Sequence, residues 1–222
     1  MSKFNNNQNL PKNWQLSIKY VGNMEFKSPE LVNSLLLNHK DCKYNLKEIE
    51  QMEKIRVLEN FKKNDKTKTE SQSNLLPKQK NHPIPNSIKI ESLINVPKHP
   101  AYPYFGLFAT RNLKPDELIT PYYGFVTTVE DSDDSSDYCL RLNCLAIDAN
   151  TIGNLGRYVN DYRGILDKPN AEFREFINLD YNRVEMGIFV MKSKNAKSGI
   201  KKNTEICVSY GKSFWKTRNL YI

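Results

Sequence analysis

The residues of this 222-residue chain that could do chemistry are not those of a metal enzyme or a nucleophilic hydrolase. Cys42, Cys139, Cys144 and Cys207 form no CxxC pair, and His39, His82 and His99 fall at no zinc-ligand spacing. In a reducing compartment such cysteines read as small buried hydrophobes. No Ser–His–Asp order and no phosphate-cradling glycine loop occurs. The second part of the chain holds instead an ordered series of tyrosines, glycines and amides. It runs from Tyr104-Phe105-Gly106-Leu107-Phe108-Ala109 through 113–119, Tyr122-Tyr123-Gly124, Tyr138-Cys139-Leu140-Arg141-Leu142 and 146–149. It continues with 153–161, which contains Arg157, Asn160 and Asp161, then Pro169-Asn170-Ala171-Glu172, 185–190, 205–211 and Phe214-Trp215. Tyrosine can pack its ring on an aliphatic stem while its hydroxyl orients a polar atom, and asparagine offers both a donor and an acceptor. Each piece is a weak signal alone; their colinear order is the specific one.

That order, over residues 86 to 215, resembles the SET domain of protein lysine methyltransferases. The resemblance implies an α+β, mostly β fold of small antiparallel sheets in which the Asn160 and Tyr210 segments thread as a C-terminal pseudoknot. It implies S-adenosyl-L-methionine as methyl donor and a lysine of a basic protein, a histone, as acceptor. It assigns catalysis to Tyr210 and Tyr138, the latter also lining the lysine channel. Cofactor contacts fall on Phe105, Gly106, Leu107, Arg157, Asn160 and Asp161, with Trp215 either stacking on adenine or sealing the core. Val208, two residues before Tyr210, is smaller than the Phe or Tyr common in the family and implies room for more than one methyl group. Tyr104 replaces the first glycine of the family's GxG and Asp161 its usual histidine, and the cysteine-rich flanking segments of many relatives are missing. Channel closure then falls to Phe214, Trp215 and the tail, without a metal.

Methyl transfer to an amine demands alignment of two atoms about 3 Å apart and exclusion of water. Freeing the neutral amine of lysine at pH 7 costs about 4–5 kcal/mol. An apolar aromatic channel beside a cation lowers that cost through desolvation and like-charge repulsion. The run between Gly124 and Tyr138 is acidic, with Glu130, Asp131, Asp133, Asp134 and Asp137. It is either a solvated loop or, through Asp133, Asp134 and Asp137, an attractor for a basic peptide. Lys192, Lys194, Lys197, Lys201 and Lys202 form a basic cluster that reads as a solvated loop or as a contact to nucleosomal DNA. A catalytically silent chromatin or protein-interaction module of the same fold is the rival reading, and a nucleic-acid binder driven by the basic N-terminal part a third. Family resemblance implies a nuclear location, cytoplasmic otherwise; oligomeric state is left open.

The elements that must position these residues divide the chain. The net charge is +8, of which +6 belongs to residues 1–80 and +2 to residues 81–222, so charge does not by itself make the second part a nucleic-acid binder. Residues 1–27 open with an Asn-rich tract and are expected to be disordered. Residues 28–62 are expected to be helical: Ser28 caps a helix with Pro29 at its first position, and Leu46, Ile49, Met52, Ile55, Leu58 and Phe61 recur every third residue. Residues 63–83 lack apolar periodicity and read as a linker or exposed loop. From 84 to 222 short β-branched and aromatic runs, 87–90, 118–123, 138–142 and 206–210, alternate with turn residues, as in a β-rich domain. No stretch approaches the roughly 20 apolar residues of a membrane span, and the start lacks the apolar core of a signal peptide.

Overall fold

The computed structural model describes residues 10–37, 39–57, 82–193 and 199–218. The short apolar runs pair into small sheets rather than one large one. The longest pairing is an antiparallel hairpin of Ala171–Asn178 with Arg183–Val190, closed through Asn182, whose φ of 50° suits a short polar side chain. Leu118–Pro121 adds antiparallel to its second strand and Glu53–Ile55 adds parallel to its first. Every residue of Arg183–Val190 is buried, which a strand covered on both faces requires. A second four-stranded sheet runs Glu25–Phe26, Phe125–Thr128, Leu145–Asp148, Cys139–Leu142. Ile88–Ser92 pairs antiparallel with Phe105–Ala109, and Asn160–Asp161 pairs in parallel with Cys207–Val208.

This last pair brings two segments far apart in sequence side by side, and Asn170 locks it. Its Nδ2 donates to the Glu205 carbonyl at 2.8 Å while its Oδ1 accepts from the Cys207 amide at 2.8 Å. Asn170 thus replaces a missing ladder partner on the last strand. The fold is mostly β, with the knot-like closure expected of residues 84–222.

The N-terminal part departs from expectation. Residues 10–27 are ordered into the core: Trp14, Tyr20, Val21 and Met24 are buried, Lys19–Tyr20 pairs in parallel with Ile152–Gly153, and Glu25–Phe26 pairs in parallel with Phe125–Val126. Four large apolar residues within eleven positions outweigh the polar tract that precedes them. A disordered start is therefore wrong for 10–27; residues 1–9 lie outside the described ones. The helical region shrinks to two short helices, Pro29–Asn33 and Leu46–Gln51. Pro29 does open the first, although Ser28 makes no side-chain cap bond. Asn45 and Glu48 form a reciprocal capping box on the second, but its period-three stripe fails: Leu46 is exposed, Met52 turns extended, and Ile55 is a buried strand residue. A period of three drifts off a 3.6-residue helix face, and an open sheet edge offers Ile55 deeper burial. Leu58 and Phe61 lie outside the described residues, as do 63–81 of the expected linker. By His82, which is buried and whose amide bonds to the Gly22 carbonyl at 2.8 Å, the chain is back in the core.

Of the cysteines only Cys207 is buried; Cys42, Cys139 and Cys144 are half-exposed. Among the described residues no helix is long and apolar enough to cross a membrane.

Candidate functional site

The strand Cys139–Leu142, the 3-10 helix Leu155–Tyr158 and the C-terminal helix Gly211–Thr217 wall a pocket of about 340 Å³. Tyr138 and Tyr210 both line it, with Tyr122, Arg157, Val159, Phe173 and Phe214, and Asp133, Asp134 and Asp137 on its acidic side. Two catalytic candidates and three substrate candidates named from the sequence therefore meet at one cavity.

Tyr138 is held through its backbone. Its carbonyl accepts from the Tyr122 hydroxyl at 2.7 Å and from the Ala149 amide at 3.1 Å, and its amide donates to Ser136 Oγ at 3.2 Å. Ser136 in turn donates to Asp148 at 2.7 Å. The ring is free to face the pocket, and the Arg157 guanidinium lies over it, 4.3 Å from the centroid. Tyr210 donates its hydroxyl to the Val159 carbonyl at 2.7 Å, and its ring packs against Phe214 at 4.8 Å and Trp215 at 6.4 Å. Burial first, then the neighbouring Tyr138 and Asp161, raise its phenol well above the ordinary value, so Tyr210 is a neutral hydroxyl at physiological pH. Gly211, with φ of +86°, makes the left-handed step that turns the chain out of the knot into its last helix.

Asp161 fastens this corner. Its Oδ2 accepts from the Tyr210 amide at 2.7 Å and the Trp215 indole at 3.3 Å, and its carboxylate pairs with Arg163 at 2.8 Å. The residue that departs from the family pattern is thus bonded to the catalytic candidate's own backbone.

The cofactor candidates separate into two groups. Asn160 Nδ2 donates to the Phe105 carbonyl at 3.1 Å and to Glu205 Oε1 at 2.8 Å, so Asn160, Phe105 and Gly106 do stand together. Glu205 packs tightly on Gly106: a Cβ there would lie 2.6 Å from its Oε1. Leu107 is fully buried in the core. Arg157 lies elsewhere. Buried at 6% exposure, it spends its guanidinium on the Ala149 carbonyl at 2.9 Å, Gln15 Oε1 at 2.9 Å and the Asn150 carbonyl at 3.4 Å, on the pocket wall with Tyr138. Trp215 covers Tyr210 and does not line the pocket. Val208 is fully buried in the parallel pair beside Asp161 and is absent from the pocket wall, so it provides no space for extra methyl groups there. Facing alternates along a strand, which the position in sequence could not place.

Sequence reasoning missed three residues. Glu205 was read only as part of a motif, yet its carboxylate pairs with His99 Nε2 at 2.8 Å and holds Asn160. His99 Nδ1 accepts from the Ala101 amide, which leaves the proton on Nε2 facing Glu205. Arg218, in the last turn, reaches back to Asp137. No local pattern announces such long-range pairs; the charge of Glu205 within an apolar strand is the one available hint. Of the lysine cluster, Lys192 lies 3.8 Å from Asp116, Lys201 and Lys202 are exposed, and Lys194 and Lys197 lie outside the described residues.

Residues 104–211 match the family model of the SET domain. The chain therefore carries a SET domain, built around the knot and the pocket described above. Among solved structures it is similar to KRYPTONITE in complex with mCHH DNA, H3(1-15) peptide and SAH, at 17% identity and a TM-score of 0.41. That alignment covers 56% of this chain and 23% of the other. No curated protein matches the sequence.

Proposed function

We propose that the protein is an S-adenosyl-L-methionine-dependent lysine N-methyltransferase acting on a basic protein, a histone, in the nucleus. The observation that carries the reading is the pocket shared by Tyr138 and Tyr210 next to the threaded Asn160 strand.

The chain's own residues supply three things. The aromatic wall of Tyr122, Tyr138, Phe173 and Phe214 encloses an aliphatic stem and displaces water from it. Arg157, a buried cation on that wall, opposes a second positive charge and so favours the neutral amine, the form that attacks. Asp133, Asp134 and Asp137 act in the other direction and hold the charged form, but all three are exposed, so screening confines them to attracting the substrate to the entrance. Tyr210, a neutral hydroxyl fixed by the Val159 carbonyl, orients the nitrogen.

The donor side fits a cationic, amino-acid-like group: the Glu205 carboxylate, the Phe105 carbonyl and Asn160 gather acceptor atoms that would hold an α-ammonium. S-adenosyl-L-methionine supplies the methyl group as an electrophilic sulfonium when bound. A silent module of the same fold is the second reading, favoured by one observation: Asn160 and Glu205 already satisfy each other and the Phe105 carbonyl.

The test is methyl incorporation into mixed core histones by wild type and Tyr210→Phe, with calorimetric titration of S-adenosyl-L-methionine on both. Loss of about 100-fold or more in rate with donor affinity kept supports the enzyme. Donor binding by both with no transfer to any basic protein supports the silent module.

A further inference from the structure

Arg218 occupies the entrance of the pocket. It donates through Nε to Asp137 and through Nη2 to the Ser136 carbonyl at 3.2 Å, and its guanidinium lies over the Phe214 ring, 3.9 Å from the centroid. Asp137, Ser136, Phe214 and Arg218 all line the cavity that holds Tyr138 and Tyr210. A carboxylate, a carbonyl and an aromatic face around one planar cation make a guanidinium seat, because the fork matches oxygen acceptors while its face stacks on the ring. A lysine ammonium lacks the planar fork that bonds two acceptors in its plane while its face lies flat on the ring. Among the acidic residues of this loop, Asp131 is taken by Lys27 at 3.0 Å, and Asp133 by the Ser135 amide and hydroxyl at 2.9 and 2.6 Å. Asp137 is instead paired with Arg218, the C-cap of the helix Gly211–Thr217.

We propose that this seat is a substrate subsite for an arginine side chain neighbouring the acceptor lysine, and that Arg218 fills it as an internal competitor until the peptide displaces it. The assignment rests on the pocket being the lysine channel. Asp137 is 62% exposed at its side chain and Arg218 22%, so the contact is weak enough to exchange and strong enough to discriminate.

The test uses the full chain and two short peptides, one with Arg directly before Lys and one with citrulline, its neutral isostere, in place of Arg. Binding is read by fluorescence anisotropy, without any methyl transfer. Arg218→Gln should tighten the arginine peptide about two- to fivefold and leave the citrulline peptide unchanged. Asp137→Asn should abolish the preference between the two peptides. Equal affinities for both peptides in wild type and Arg218→Gln, or equal tightening of both by Arg218→Gln, would overturn the subsite. Because the readout is binding, failure of methyl transfer and failure of this subsite are seen separately.

Discussion

A single carboxylate, Asp161, sets where Tyr210 stands. It holds the Tyr210 amide and the Trp215 indole from one oxygen, and Arg163 from both, while itself 7% exposed. Asparagine in its place keeps one acceptor oxygen but loses the second, and cannot carry the charge that pairs with Arg163. Asp161→Asn is expected to cost about 1–3 kcal/mol of stability, and Asp161→Ala more, since four donors, the Tyr210 and Arg163 amides, the Trp215 indole and the Arg163 guanidinium, then lose their acceptor in a partly buried corner. If the carboxylate positions Tyr210, Asp161→Asn lowers kcat with little change in KM for peptide, and steady-state kinetics on the folded variant separates that from a general loss of fold. Equal loss of kcat and rise of KM would mark a structural role only. Position 161 read as a departure from a family pattern; in place, it is the clasp of the candidate active site.

At the level of elements, the knot is held less by its two-residue strands than by amides that reach across it. Asn170→Ala removes the two bonds that pin Glu205 and Cys207, leaving buried backbone groups unpaired, and is expected to lower stability by about 2–4 kcal/mol, measured by urea denaturation. Gly124 carries a different constraint. A Cβ there would collide with the Asp148 carbonyl, so Gly124→Ala must separate the strand Phe125–Thr128 from Leu145–Asp148 at its start. That substitution should destabilise by more than the fraction of a kcal/mol expected at an open site and loosen Ser136 and Tyr138, which Asp148 supports. Hydrogen exchange at the Ala149 amide, bonded to the Tyr138 carbonyl, reports it.

For the molecule as a whole, residues 10–27 pack into the core of the strands that follow. Trp14, Tyr20, Val21 and Met24 enter the main core, and burying each contributes about 1.5–3 kcal/mol against a total stability of roughly 5–15. Deleting residues 1–27 should therefore yield no cooperatively folded product by circular dichroism. Burial also raises the phenols of Tyr20, Tyr122, Tyr123 and Tyr210 above the unfolded value of 10.0. Groups whose folded pKa is raised lend stability that is complete below pH 10 and lost as pH rises beyond it. Alkaline unfolding should set in above that point, with these phenols ionising together with the loss of structure; absorbance at 295 nm followed beside circular dichroism reads this directly. Gradual ionisation of all twelve tyrosines in a folded protein would contradict it.

The strands of residues 84–222, the tyrosines of the pocket and the asparagines of the knot were legible along the chain, because alternation, turn residues and short motifs are local properties that survive in one dimension. The first helix start was legible too, because Pro29 acts within its own turn. Tertiary packing decided the rest. It turned Ile55 from a helix stripe into a sheet edge, drew Trp14 to Met24 into the core, moved Arg157 from the donor side to the pocket wall and hid Val208 behind Asp161. Each of these depends on a partner distant in sequence, such as Gln15 with Arg157, Glu53 with Arg174 or Asp161 with Val208. Such a contact is a property of where the chain returns, and the free energy of its burial exists only once both segments have left water together.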